Sequence, residues 1–161
     1  METSRLELKD LDPGNAEFIF RLVNTPGWIK YIGERNIKTI EDADGYINKI
    51  LVNSNITYWV IYLKIQFIPI GIISLVKREY LEHPDIGFPL LPDYGKKGYA
   101  SEATQLVLDF LTQSNLHSKI QAITVKGNKK SIELLEKLGF KFDSQIEIEK
   151  EKLLIYSKPL K

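Results

Sequence analysis

The stretch Pro84–Thr104, PDIGFPLLPDYGKKGYASEAT, reads as a short apolar strand, a loop carrying glycines and lysines, and a helix opened by small residues. A helix begins with main-chain N–H groups that have no partner inside the helix. Together with the positive end of the helix dipole they favour an anion. Gly95 and Gly98 let the backbone turn tightly and approach a ligand with no Cβ in the way, and Lys96 and Lys97 add mobile positive charge. The same residues would also make an ordinary strand-to-helix turn, so this stretch alone leaves both readings open.

Outward from it, the chain reads as one domain spanning residues 1–161, long enough to bury an apolar core without covalent staples. With 43% hydrophobic and 27% charged residues the composition is that of an ordinary soluble protein, and no apolar run approaches the ~18 residues needed to cross a bilayer. The charged start METSRLELKD carries no apolar signal region, which predicts a cytoplasmic location. The absence of cysteine excludes disulfides, thiolate nucleophiles and cysteine-ligated zinc. A net charge of +1 gives no global field for nucleic acid, so a polyanionic ligand has to be held by a local basic cluster.

Arg5 to Leu8 alternates as an edge strand. Phe18, Ile19, Leu22 and Val23 fall at helical spacing in a helix expected to stop near Thr25-Pro26-Gly27. The aromatic and charged segment that follows leads to a second helix opened by Thr39 and Asp42 and carried by Ala43, Tyr46, Ile47 and Ile50. Thr57–Leu63 and Ile68–Val76 read as a hairpin, and Pro84–Leu90 as a further strand. In the helix from Gly98, Ala100, Ala103, Val107, Phe110 and Leu111 are expected to face the sheet. Ile120–Val125 is a buried strand, Asn128 caps a helix that ends at Lys137 and Gly139, and 140–148 with 152–158 close the chain as an antiparallel pair. This order predicts an α+β fold of helices on a twisted, mostly antiparallel sheet.

A second stretch, Val125–Phe140 (VKGNKKSIELLEKLGF), follows the first at a distance of some thirty residues. The pair resembles the GNAT superfamily of acetyl-CoA-dependent N-acetyltransferases, and within it the ribosomal-protein N-terminal acetyltransferase branch. The likeness rests on Tyr94-Gly95 and Tyr99-Ala100-Ser101-Glu102-Ala103 in the first stretch and on Asn128, Ser131 and Leu134-Leu135-Glu136-Lys137-Leu138-Gly139-Phe140 in the second. It extends to Ile32-Gly33-Glu34-Arg35 and the Thr39 helix. It implies a three-layer α/β/α fold with the sheet in the middle, acetyl-CoA as co-substrate, a primary amine as acceptor, and frequent dimers.

The resemblance also assigns site residues. Backbone N–H groups of Lys96, Lys97, Gly98, Tyr99 and Ala100 would hold the pyrophosphate, and Phe88 and Leu90 would pair with the pantetheine amides as with an added strand. Lys126, Lys129 and Lys130 could meet the ribose phosphate or simply be a solvated helix start. Asp85 is the first candidate for the general base, its alternative being a strand-end carboxylate in solvent. Glu34 competes with it. Many superfamily members carry a tyrosine acid where this chain has Leu135. The branch suggests Ser131 in its place, unless that hydroxyl only bonds backbone in the first turn. Tyr156 is a backup acid or a core residue. Asn128 caps its helix and could reach the cofactor arm as well. Trp28, Tyr31, Glu34 and Arg35 would line an acceptor pocket for a peptide N-terminus or a small amine. His83 and His117 lack metal-ligand spacing, so no metal is expected, and neither a membrane nor nucleic acid is. Leu135 keeps open a non-catalytic acyl-CoA-binding module as the alternative.

Overall fold

Ile56–Leu63 and Ile68–Val76 are almost unbroken runs of aliphatic and aromatic residues, the pattern of strands covered on both faces. In the computed structural model, which describes residues 1–161, they are the second and third strands of a single sheet. Its strands are β1 (Leu6–Asp10), β2 (Ile56–Leu63), β3 (Ile68–Val76), β4 (Asp85–Gly87), β5 (Lys119–Thr124), β6 (Lys141–Ile148) and β7 (Glu151–Pro159), in the order β1-β2-β3-β4-β5-β7-β6. Every neighbouring pair is antiparallel except β4 and β5, which run parallel and meet only at Asp85 and Gln121.

Five helices make the two outer layers: α1 (Ala16–Val23), α2 (Pro26–Tyr31), α3 (Ile40–Leu51), α4 (Tyr99–Ser114) and α5 (Lys129–Lys137). Because side chains alternate along a strand, Val60 and Ile72 turn to one face and pack on Phe18, Ile19, Leu22 and Ile47 of α1 and α3. Ile61, Ile73, Ile86 and Ile120 turn to the other, against Ala103, Val107, Leu108 and Leu111 of α4 and Leu135 of α5. Two cores, one on each face, make the three-layer arrangement that the resemblance implies.

Three local readings are corrected. The first helix stops at Val23, close to the expected place, but Pro26 at once begins a helix that was not expected, α2: Thr25 caps it by accepting from the Trp28 N–H, and proline at the first helical position lacks only an N–H that would have no partner there. The strand expected over Pro84–Leu90 stops at Gly87. Phe88 precedes a proline and Pro89 has no N–H, and the chain then crosses so close to Gly71 that a Cβ there would lie 2.4 Å from Leu90 Cδ2 and 2.6 Å from the Pro89 oxygen. In α4 Phe110 is 44% exposed, with its ring edge-to-face on Trp59; it lies about 100° round the helix from Leu111. The buried stripe is Ala103, Thr104, Val107, Leu108 and Leu111.

Candidate active site

Where β4 ends, the sheet opens. The Pro89 oxygen accepts from Ile72 N–H and Leu91 N–H donates to the Ile70 oxygen, so this segment holds to β3. Main-chain groups alternate sides along an extended chain, so Phe88 and Leu90 turn theirs away from β3, toward β5. Neither residue's N–H or C=O bonds within the protein. Asp85 stands at the vertex of the opening. Its Oδ1 accepts from Ile123 N–H at 3.1 Å and its Oδ2 from Arg78 Nε at 2.9 Å. A free carboxylate expected at this position is therefore an engaged one, 7% exposed. Burial raises its pKa above the ordinary aspartate value, and Arg78 and the Ile123 N–H only partly oppose that.

Beyond a short 3-10 turn, Pro92–Tyr94, lies the loop. Lys96 has φ +61° and Gly98 φ +83°, and no side chain caps the helix that Gly98 begins. The first main-chain bond of α4 is Glu102 N–H to the Gly98 oxygen, at 3.0 Å. Six consecutive N–H groups, from Lys96 to Ser101, consequently have no acceptor in the protein, and they include all five expected at the pyrophosphate. Lys96 to Gly98 are exposed, and the exposed Lys126, Lys129 and Lys130 lie across β5 at the start of α5.

Sequence reasoning missed Arg5 because its contacts lie more than ninety residues away. Its Nε donates to Glu102 at 2.9 Å, Nη1 donates to the Lys97 oxygen at 3.1 Å, and the guanidinium stacks on Tyr99, 4.5 Å from the ring centre. Thr3 also donates to Glu102. Partial burial raises the Glu102 pKa, but the hydrogen bonds from Arg5 and Thr3 outweigh this and hold it below the ordinary glutamate value.

On the other half of the sheet, Trp28, Tyr31, Glu34 and Arg35 come from α2 and the loop after it. Trp28 is buried, its indole N–H unpartnered, and the Arg35 guanidinium lies 5.9 Å from its ring centre. Tyr31 is exposed, with Lys30 Nζ 5.0 Å from its ring centre. Glu34 Oε1 accepts from Asn36 N–H at 2.8 Å. Arg35 and Tyr46 line a cleft of about 340 Å³ along α3. The Tyr46 and Tyr58 hydroxyls are 2.9 Å apart, and burial with the Tyr46 contact pushes the Tyr58 pKa up, against a downward pull from Arg35 and Arg78.

In the second motif Asn128 Oδ1 accepts from Ser131 N–H at 3.3 Å, so Asn128 caps α5, and the half-buried Ser131 hydroxyl has no protein partner. Leu135 is wholly buried one turn on, and Tyr156 packs in the same core. His83 and His117 stand apart, on the approach to β4 and beyond the end of α4.

Comparison with known proteins accords with this geometry. The family model "Acetyltransferase (GNAT) domain" matches residues 5–141. An uncharacterised N-acetyltransferase of Bacillus subtilis, YnaD, is 30% identical over 141 residues, covering 86% of this chain and 81% of that protein. Among solved structures, spermidine N-acetyltransferase from Vibrio cholerae in complex with CoA and spermine superposes with a TM-score of 0.84 at 21% identity, over 98% of this chain and 97% of the other. Ribosomal-protein-S5-alanine acetyltransferase from Vibrio fischeri does so with a TM-score of 0.83 at 19% identity, over 99% and 95%. At these identities the two structures share the fold, and they stand for two different acceptors. An acyltransferase fold, a sheet opened beside an uncapped helix, and a family match over most of its length place this chain in the GNAT acetyltransferase family.

Proposed function

We propose that the chain transfers the acetyl group of acetyl-CoA to a primary amine by direct attack. The observation that carries this reading is the run of six unpartnered N–H groups, Lys96 to Ser101, beside the unpaired main-chain groups of Phe88 and Leu90. The first suits a diphosphate at the positive end of a helix. The second suits the two amides of a pantetheine arm laid in the opening as an added strand. A thioester on that arm would come to rest near Phe88.

The amine lone pair attacks the thioester carbonyl carbon and the C–N bond forms. The Phe88 N–H, which has no partner in the protein, receives the oxyanion in this reading. The C–S bond then breaks, and Ser131 supplies the thiolate with the proton that a tyrosine would donate if Leu135 were one, regaining its own from the second proton that the acylated nitrogen sheds. An alkyl ammonium has to lose a proton before it attacks. Glu34, whose Oε2 is uncommitted, serves this better than Asp85, both of whose oxygens are engaged. Asp85 is better read as the pin that fixes the vertex of the opening. With Trp28 buried beneath Arg35, the exposed Tyr31, Glu34 and Arg35 offer an aromatic ring and both charges, which suits a polyamine such as spermidine or the amino terminus of a peptide.

Calorimetric titration with CoA, followed by thiol release from acetyl-CoA over a panel of spermidine and short peptides with varied first residues, tests the reading. Heat on CoA addition and thiol release above hydrolysis with at least one amine are expected. No binding, or binding without acceleration by any amine, overturns it. Ser131→Ala is expected to lower kcat roughly 10–100-fold with little change in the KM for acetyl-CoA.

A further inference from the structure

The role of Arg5 follows from what its contacts do to the loop. A trans peptide points its C=O and the next N–H in opposite directions. With the Lys97 oxygen held by Arg5 Nη1 on one side, the Gly98 N–H is turned to the other, the side of the unpartnered amides. Arg5 also covers a charge. Glu102 stands in the first turn of α4, one residue past the run of free amides, where an uncompensated negative charge opposes an incoming anion, and Arg5 binds it through Nε and Nη2. The stack on Tyr99 fixes the guanidinium plane, so one side chain just ahead of β1 holds three residues of the loop and the helix start.

We propose that Arg5 is a positioning residue for the cofactor diphosphate, aiming the Gly98 N–H and neutralising Glu102 without itself touching the ligand. The inference rests on the CoA site proposed above and adds to it the residue that precedes the first strand. A lysine could supply the charge but not the fork that holds a carboxylate and a carbonyl at once.

The experiment compares acetyl-CoA with S-acetylpantetheine, which carries the thioester but no diphosphate. Arg5→Ala should weaken CoA binding by calorimetry, and raise the KM for acetyl-CoA, roughly 10–100-fold. At saturation its kcat should be that of the wild type, and its kcat/KM on S-acetylpantetheine should not change. Arg5→Ala/Glu102→Ala should recover part of the lost affinity, because the exposed carboxylate goes with its partner. Arg5→Lys should fall between wild type and Arg5→Ala.

A wild-type affinity in Arg5→Ala overturns the inference. So does an equal loss on both thioesters, which would mean general loosening of α4, and so does a wild-type affinity in Arg5→Lys, which would remove the need for the fork. Failure of the wild-type protein to bind CoA is a different result and removes the proposed site itself.

Discussion

The two halves of the sheet offer a ligand different kinds of surface. From β4 through α5 the continuous row of free groups is main chain, the Lys96–Ser101 amides and the edge of Phe88 and Leu90, with the side chains of Lys96, Lys97, Lys126, Lys129, Lys130 and Ser131 around it. From α1 through α3 the polar groups are side chains, many already spoken for by one another: Arg35 over Trp28, Tyr46 with Tyr58, Glu34 with Lys38. Main-chain groups read shape and charge but not side-chain identity, so the first half suits a ligand that does not vary. The second half can be re-specified by exchanging a few side chains, and the solved neighbours that share this fold carry the names of two different acceptors, spermidine and a ribosomal protein.

If the division is real, a substitution in the main-chain half strikes CoA alone. Gly98→Val is the harshest case. It forces a β-branched residue to φ +83°, with its Cβ 3.4 Å from Arg5 Nη2. CoA affinity is expected to fall on the order of 100-fold, or about 2.7 kcal/mol, by calorimetry, and the cofactor half loses its special status if it does not.

Asp85 joins the halves and should be felt as stability. Asp85→Asn leaves Arg78 half-buried beside a group that no longer balances it, and urea melts are expected to show a loss of about 1–3 kcal/mol. If the variant is as stable as wild type and slow only in turnover, Asp85 is the base after all and Glu34 is not.

The smallest effect concerns pH. Folded Glu102 holds its proton less tightly than the unfolded chain does, so its contribution is present above the usual glutamate range and fades as pH falls through its lowered value. A Tm advantage of wild type over Glu102→Gln is therefore expected near neutrality and should vanish in acid. An advantage that grows in acid would reverse the assignment.

What the sequence disclosed follows the same division. Gly98, Asn128 and the Thr39–Asp42 capping box act within a few residues of themselves, so the loop, both helix starts and most strands were legible. Pro26 was ambiguous because proline both stops and starts helices, and the Thr25 cap before it was the signal that separated the two. The early end of β4 depends on Gly71, and the clamp on the loop on Arg5, both partners distant in the chain. Trp28 looked like a pocket floor from its neighbours in sequence, but its burial beneath Arg35 is a tertiary fact.

Gly71 has a further consequence. It lies on β3, behind the segment whose free edge faces β5, and any larger residue would push Pro89 and Leu90 forward. The width of the slot is thus set from its rear wall by an atom that is missing. A mutational library randomised at this one position should return only glycine under selection for acetyl transfer, although no ligand atom would ever come near it.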